Sequence, residues 1–227
     1  MARSAQEDID RLRRDIERGL RDKLAPDELL HQLARLARAS TPGSDAWIFA
    51  HRHLAELGVE RDPWRAALFA RRVLAHEPND DGAWAVLGLA QSLLGHYRFA
   101  ARAYERALAL APDNPWYAHN LGHIYDVALD RPGDALPLLA QATGAETGQA
   151  DIAASYAHAL ARCGQVPLAK RVLKRAIRRG ATPDQMALWR WLEAGAPSDD
   201  ARPVTGAPDG GPKARRRRSR ERRRLAD

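Results

Sequence analysis

Apolar and charged residues near the start of the chain follow one another with the spacing of amphipathic helices. Over residues 4–22, apolar side chains recur every three or four positions among charged ones, which predicts a helix with one narrow apolar face. They are Ile9, Leu12, Ile16 and Leu20. Pro26 begins a second predicted helix, which ends at Thr41-Pro42-Gly43. Its apolar positions are Leu29, Leu30, Leu33 and Leu36.

Small and apolar residues in the middle of the chain recur with a period of 34 or 35 residues. One series is Ala66, Ala100, Ala135 and Ala169, and a second, seven residues later, is Val73, Ala107, Ala142 and Ala176. The pair Leu87-Gly88 also recurs as Leu121-Gly122. Such a period is typical of a solenoid of stacked helix pairs, in which each pair buries its apolar face against its neighbours.

The residues within one period carry a family resemblance. The best unit contains, in order, Trp84, Leu87, Gly88, Ala100, Tyr104, Ala107 and Pro112. This pattern resembles the tetratricopeptide repeat (TPR). The next unit keeps Leu121, Gly122, Tyr125, Ala135, Leu139 and Ala142, with one extra residue that we place in the turn Asp130-Arg131-Pro132-Gly133. The two flanking units are divergent copies, with His51 and Ala157 in place of the glycine.

The resemblance covers about residues 44–183 and implies an all-α fold, an α-solenoid of stacked antiparallel helix pairs in a TPR superhelix. Its four predicted units are 44–80, 81–114, 115–149 and 150–183. We expect N-terminal helices over 1–43 and a capping helix over 184–195, which contains Trp189 and Trp191. Residues 196–227 are rich in Pro, Gly, Asp and Arg without apolar periodicity, and we expect them to be disordered.

Composition excludes several classes of protein. No stretch approaches the roughly 20 apolar residues that cross a bilayer, and no apolar export segment opens the chain, so we expect a cytoplasmic protein without a transmembrane segment. Cys163 is the only cysteine, which excludes an internal disulfide framework. Neither a phosphate-binding glycine loop nor a set of nucleophile, base and orienting group is recognisable. We therefore expect no enzymatic activity, no cofactor and no metal.

Three histidines form the one cluster of candidate chemistry. His119 and His123 are four residues apart on the first helix of the third unit, so their rings share a face. His158 is the counterpart of His123 in the fourth unit. First helices line the concave surface in the TPR family, which implies that the three approach one another. They could bind zinc, but no His-Glu-x-x-His motif accompanies them, and a polar groove that hydrogen-bonds a peptide is favoured.

The resemblance also implies which side chains face the groove. The predicted partner-binding residues are Arg52, Glu56, Leu89, Trp116, His119, Asn120, His123, Asp126, His158 and Arg162. Asn120 matches the asparagine that holds the peptide backbone in carboxylate-clamp members of the family, whereas Ala85 and Leu89 replace the expected Lys and Asn. A partly apolar extended segment or helix of another protein is the expected ligand. We therefore predict a non-enzymatic adaptor or scaffold.

The positive charge is concentrated at the end of the chain. The net charge is +7, and residues 213–227 alone carry nine Lys or Arg and two acids, which is also +7. The arginines of this tail are Arg215, Arg216, Arg217, Arg218, Arg220, Arg222, Arg223 and Arg224. They could bind nucleic acid phosphates, attach to an anionic membrane surface, or only solubilise the chain. The alternative function is thus a nucleic-acid-associated factor whose repeats recruit a protein.

Overall fold

The computed structural model describes residues 2–145 and 149–196. Within these ranges the chain forms eleven α-helices, a π-helical segment at Ile124–Ala128 (the π segment) and a 3-10 turn at Ile177–Arg179, and no β-strand. None of these helices has the combination of length and apolar character needed to span a membrane. The predicted all-α fold is confirmed. The tail over 197–227, with its arginines, lies outside the described residues.

The helices follow one another with short connections. They are α1 Ala2–Arg21, α2 Pro26–Ala39, α3 Asp45–Gly58, α4 Pro63–Leu74, α5 Asp81–Leu93, α6 Tyr97–Leu110, α7 Pro115–His123, α8 Pro132–Ala145, α9 Ala150–Arg162, α10 Val166–Ala176 and α11 Pro183–Glu193. Each of the four predicted repeat units contains two helices. We call α3, α5, α7, α9 and α11 the first helices, and α4, α6, α8 and α10 the second helices.

The chain divides into two compact units, and unit 1 is Met1–Tyr117. In unit 1 each helix from α1 to α6 packs against the next one along the chain. Ile16 of α1 and Leu33 of α2 are fully buried, together with Ala50 of α3. Further along, Ala70 of α4 and Ala90 of α5 are buried in one cluster. The apolar faces of successive helices thus cover one another, as the stripes in the sequence require.

Unit 2 comprises Ala118–Asp227. Here α8 packs against the π segment and α9, and α10 packs against α9. The last helix, α11, contacts both α9 and α10. Leu188 and Leu192 of α11 are fully buried in one cluster with Leu160 of α9 and Leu173 of α10. Helix α11 therefore covers the apolar face that α9 and α10 leave open.

Small residues lie where the two helices of a repeat cross. A Cβ atom added to Gly88 would lie 2.7 Å from the ring of Tyr104, and one added to Gly122 would lie 2.7 Å from Cγ of Leu139. In the first predicted unit the large side chain is on the first helix, where the buried His51 replaces the glycine, and the small one is on the second helix, where Ala70 is the counterpart of Tyr104. Each crossing thus combines a large with a small side chain, as close packing requires.

The extra residue of the third predicted unit lies in a helix, and our placement of it in the turn was wrong. In the second unit the turn residue Gly95, whose φ is 76°, lies seven residues after Gly88. In the third unit the turn residue Asp130, whose φ is 58°, lies eight residues after Gly122. The two turns are equivalent, and the π segment between Gly122 and Asp130 accommodates the additional residue.

Candidate functional site

A cavity of about 380 Å³ lined by several ionisable side chains lies among the first helices of unit 2. Its walls come from α7 with the π segment, from α9, and from the start of α11. Among the described residues that line it, the ionisable side chains are three histidines and three aspartates. They are His119, His123, His158, Asp126, Asp151 and Asp184.

The π segment places one of these aspartates inside the protein. The backbone N–H of Leu129 donates to the carbonyl oxygen of Ile124, five residues earlier, at an N···O distance of 3.0 Å. This bond closes a wider turn than the i to i−4 bond of an α-helix. Asp126 lies on the widened turn and is only 1% exposed. A buried carboxylate is costly unless other groups pair with it.

Two side chains of α9 pair with Asp126. Nδ1 of His158 is 2.5 Å from Oδ2 of Asp126, and Nη1 of Arg162 donates to Oδ1 over 2.9 Å. Arg162 also donates to the backbone carbonyl of Asp126 and to the carboxylate of Asp130. The ring of Trp191 stacks on that of His158, with centroids 5.4 Å apart. The buried charge is therefore matched, and the His158 ring is held in place from α11.

His119 and His123 form the α7 side of the cavity. Their ring centroids are 6.2 Å apart, and Nε2 of His119 is 3.1 Å from the hydroxyl oxygen of Ser155. Burial, together with the neighbouring His123, lowers the pKa of His119 to about 4. Burial also lowers the pKa of His123. Both imidazoles are therefore uncharged at neutral pH.

The acidic groups of the cavity belong to helix starts. Asp151 lies in the first turn of α9 and Asp184 in the first turn of α11. Gln185 connects these two helices, because its Nε2 donates to Oδ1 of Asp151 over 2.8 Å. Thr182 caps α11 by accepting the backbone N–H of Gln185, and the side-chain oxygen of Gln185 accepts the N–H of Thr182 in return. These bonds hold the carboxylate of Asp151 and the start of α11, which carries Asp184, beside the cavity.

A hydroxyl group and an imidazole ring are in contact in this cavity. Ser155 and His119 have the spacing of a nucleophile and its base. However, no carboxylate is bonded to Nδ1 of His119, because Asp126 pairs with His158 and Asp151 accepts from Gln185. A chain from nucleophile to base to orienting acid is thus not assembled there. Among the described residues, no group of three or more His, Cys, Asp or Glu side chains is arranged to hold a metal ion.

The structure brings four of the sequence-predicted residues to this cavity. They are His119, His123, Asp126 and His158. Arg162 acts on it through Asp126, and Asn120 is half-buried on α7. The sequence reasoning missed Asp151, Ser155, Thr182, Asp184 and Gln185. None of these residues occupies a position of the repeat motif, so no motif indicated them.

The predicted residues of unit 1 have different surroundings. Nε of Arg52 donates to Oδ2 of Asp80 over 2.8 Å, so this guanidinium already has a partner. Glu56 is exposed on α3, and Leu89 is partly buried against the core of unit 1. Trp116, at the start of α7, is 47% exposed. Trp116 therefore presents the largest accessible apolar surface of this group.

Comparison with known proteins identifies the fold. No family model matches the chain. Protein FlbA of Caulobacter vibrioides is 29% identical over 172 residues, which are 75% of this chain but only 28% of FlbA. PilF of Pseudomonas aeruginosa superposes with a TM-score of 0.68 at 18% identity, over 84% of this chain and 85% of PilF. YrrB, described as a TPR protein with an unusual peptide-binding site, gives 0.57 at 20% identity, over 65% of this chain and 76% of YrrB.

The structural likenesses confirm the resemblance at the level of the fold. Two TM-scores above 0.5, at identities of 18% and 20%, show that this chain has the helical-repeat fold of TPR proteins. Because fold alone does not carry function, the role of the chain is inferred from its own surface.

Proposed function

We propose that this chain, which has the TPR fold, is a non-enzymatic scaffold that holds an extended segment or helix of another protein on its first helices. The observation that carries the proposal is the cavity of unit 2, because its described lining residues lie on first helices, on the π segment that continues α7, and at Thr182, which caps α11. The packing of α7 on α8 uses Gly122 and Leu139, so the cavity histidines are not needed for that crossing.

The chemistry of the cavity supports a polypeptide ligand. Neutral imidazoles, hydroxyls and carboxylates can hydrogen-bond a peptide backbone and its polar side chains. Trp116 adds an exposed aromatic side chain on the same helix, α7, that carries His119 and His123. Aromatic residues of this kind supply much of the binding energy at protein interfaces. YrrB, one of the structural neighbours, is itself described as having a peptide-binding site.

Site-specific photo-crosslinking tests the proposal. A benzophenone amino acid is introduced into the full-length chain at Trp116 or Asp184, which lie on first helices. The matched control positions are Phe99 and Asp134, which are also exposed but lie on the second helices α6 and α8. We expect covalent adducts with a cellular partner, identified by mass spectrometry, from the first pair only. Adducts confined to Phe99 and Asp134 would transfer the binding surface to the second helices and overturn the proposal.

The alternative function, a nucleic-acid-associated factor, rests on the composition of residues 213–227. Binding of random-sequence duplex DNA to the full-length chain, titrated with salt, tests it. If the tail neutralises phosphates, the logarithm of affinity falls linearly with the logarithm of salt, with a slope of roughly 0.9 per contact. Changing the eight tail arginines to glutamine should then abolish DNA binding. We expect little DNA binding at about 0.15 M salt, because salt at this concentration weakens sequence-independent phosphate contacts.

A further inference from the structure

We propose that the cavity of unit 2 binds the side chain of an arginine in the partner's extended segment. This inference rests on the proposed function and names the chemistry of the partner. Three aspartates line the cavity, and among the described residues that line it there is no lysine or arginine. No lysine or arginine of the lining is therefore available to neutralise the carboxylates of Asp151 on α9 and Asp184 on α11.

The excess negative charge comes from two of the three aspartates. Asp126 is matched by His158 and Arg162, so it adds no unpaired charge. Asp151 and Asp184 each lie in the first turn of a helix, where the backbone contributes a partial charge of about +0.5. A full carboxylate charge outweighs that contribution. The cavity should therefore attract a cation and repel an anion.

The histidines do not oppose a cation. Burial keeps both His119 and His123 neutral at pH 7, with the pKa of His119 lowered to about 4. The negative charge of Asp151 raises the pKa of His119 by less than burial lowers it. A carboxylate therefore lies close to an uncharged imidazole. Flat neutral rings beside carboxylates can stack on a planar cation while the acids pair with its charge.

These features select arginine over lysine. A guanidinium is planar, presents five N–H donors, and can bind a carboxylate through two parallel hydrogen bonds. Asp151, Asp184 and the hydroxyl of Ser155 supply acceptors at different points of the cavity. A lysine ammonium is more strongly hydrated and has no flat face, so it would gain less from the histidine rings.

Short blocked peptides test this inference directly. The probes are acetylated and amidated Ala-Ala-Arg-Ala-Ala, and the same peptide with lysine or with citrulline, the uncharged isostere of arginine. Calorimetry on the full-length chain measures affinity, and histidine ring NMR signals report the site. We expect the arginine peptide to bind more tightly than the lysine peptide and the citrulline peptide not to bind. Combining D151N with D184N should weaken arginine binding by at least about tenfold.

The matched control is D134N. Asp134 is an exposed aspartate in the first turn of a second helix of unit 2, so its loss should leave arginine binding unchanged. Equal binding of the arginine and citrulline peptides would overturn the inference, as would equal effects of D134N and of the double variant. Melting temperatures of all variants are compared so that a folding defect is not mistaken for a binding defect.

Two further arms separate the possible outcomes. In one, the eight tail arginines are changed to glutamine in the full-length chain. If the arginine peptide binds only to this variant, the chain's own tail occupies the cavity, and the assignment to a partner is overturned. In the other, crosslinks at Trp116 persist while no arginine peptide binds, which refutes the inference and leaves the proposed function standing. If the arginine peptide binds while adducts form only at Phe99 and Asp134, the proposed function is refuted, although the cavity itself binds arginine.

Discussion

The second and third predicted repeats share one packing scheme and differ by one residue. In both, a glycine of the first helix meets a large side chain of the second, Tyr104 in one repeat and Leu139 in the other. In the second repeat, α5 reaches its turn as a regular α-helix, whereas the π segment follows α7 in the third. Counted back from the turn, Asp126 is the counterpart of Gln91, since each lies four residues before a residue with positive φ.

The consequence of the added residue is chemical. Gln91 is a buried neutral amide whose Oε1 lies 2.9 Å from Nδ1 of His96 in its own repeat. Asp126 is a buried carboxylate that is paired with His158 and Arg162 of the next first helix. The same structural position therefore carries a local hydrogen bond in one repeat and an ionic connection to the following repeat in the other.

The largest expected effect comes from removing that carboxylate. D126A should lower the free energy of unfolding by about 3 kcal/mol or more, because it removes the buried carboxylate that accepts from Arg162 and leaves the buried His158 without its hydrogen-bond partner. The matched variant Q91A should cost only about 1 kcal/mol, since it removes one neutral hydrogen bond. Chemical denaturation of both variants measures the difference. Equal losses of unfolding free energy in D126A and Q91A would show that the pairing of Asp126 with His158 and Arg162 adds no stability beyond that of a neutral hydrogen bond.

Both repeats should respond alike at their helix crossings. G88L and G122L should each cost about 1–3 kcal/mol or more, because even a Cβ atom would lie 2.7 Å from Tyr104 or Leu139. Gly144, also in a helix, has no atom near its hypothetical Cβ, so G144L is the control and should be neutral or slightly stabilising. Thermal melting checks all three variants. A G144L loss as large as that of G88L would contradict the assigned packing.

The smallest expected effect is a pH dependence specific to the third repeat, because Ala85 and Leu89 replace His119 and His123 in the second. The pKa of His119 is about 4 in the folded chain and about 6.5 when unfolded, so the unfolded state binds more protons between these values. Stability from this group is present above pH 6.5 and is lost as the pH falls. Between pH 7 and 5 the loss should be about 1–2 kcal/mol.

The variant H119N tests this assignment. It should reduce the slope of unfolding free energy against pH between 7 and 5, whatever its effect on stability at pH 7. A slope identical to that of the unchanged chain would mean that His119 is not held neutral by burial. The measurement is a series of denaturation curves at fixed ionic strength.

The sequence predicted the fold because helix packing repeats at regular intervals. Ala100 and Ala135 are both fully buried, and the 35-residue step between them fixed the pairing of helices. That step could not locate the extra residue, since an insertion in the turn and one in the helix give the same count. Only the recognition of Asp130 as the counterpart of Gly95 would have resolved it, and glycine, rather than aspartate, is the residue usually expected at positive φ.

The histidines of the candidate site on α7 and α9 were predicted, whereas Asp151 and Ser155 of α9 and the residues of α11 were not. His119, His123 and His158 were placed together because equivalent positions of successive first helices are neighbours. Asp184 and Gln185 lie beyond the last complete repeat, where no periodicity indicates which side chains approach the preceding helix. Their position depends on the packing of Leu188 and Leu192 against unit 2, which is a tertiary contact and leaves no periodic signal.

The π segment also bears on how such repeats can be recombined. A repeat array tolerates the exchange of one repeat for another when the next helix begins at the same position and in the same orientation. Because the widened turn at Ile124–Ala128 absorbs its additional residue before Asp130, helix α8 begins as it would after a repeat of standard length. A consensus array that received residues 115–149 should therefore keep all 35 positions. Trimming the module to 34 would restore a regular helix and eliminate the inward carboxylate.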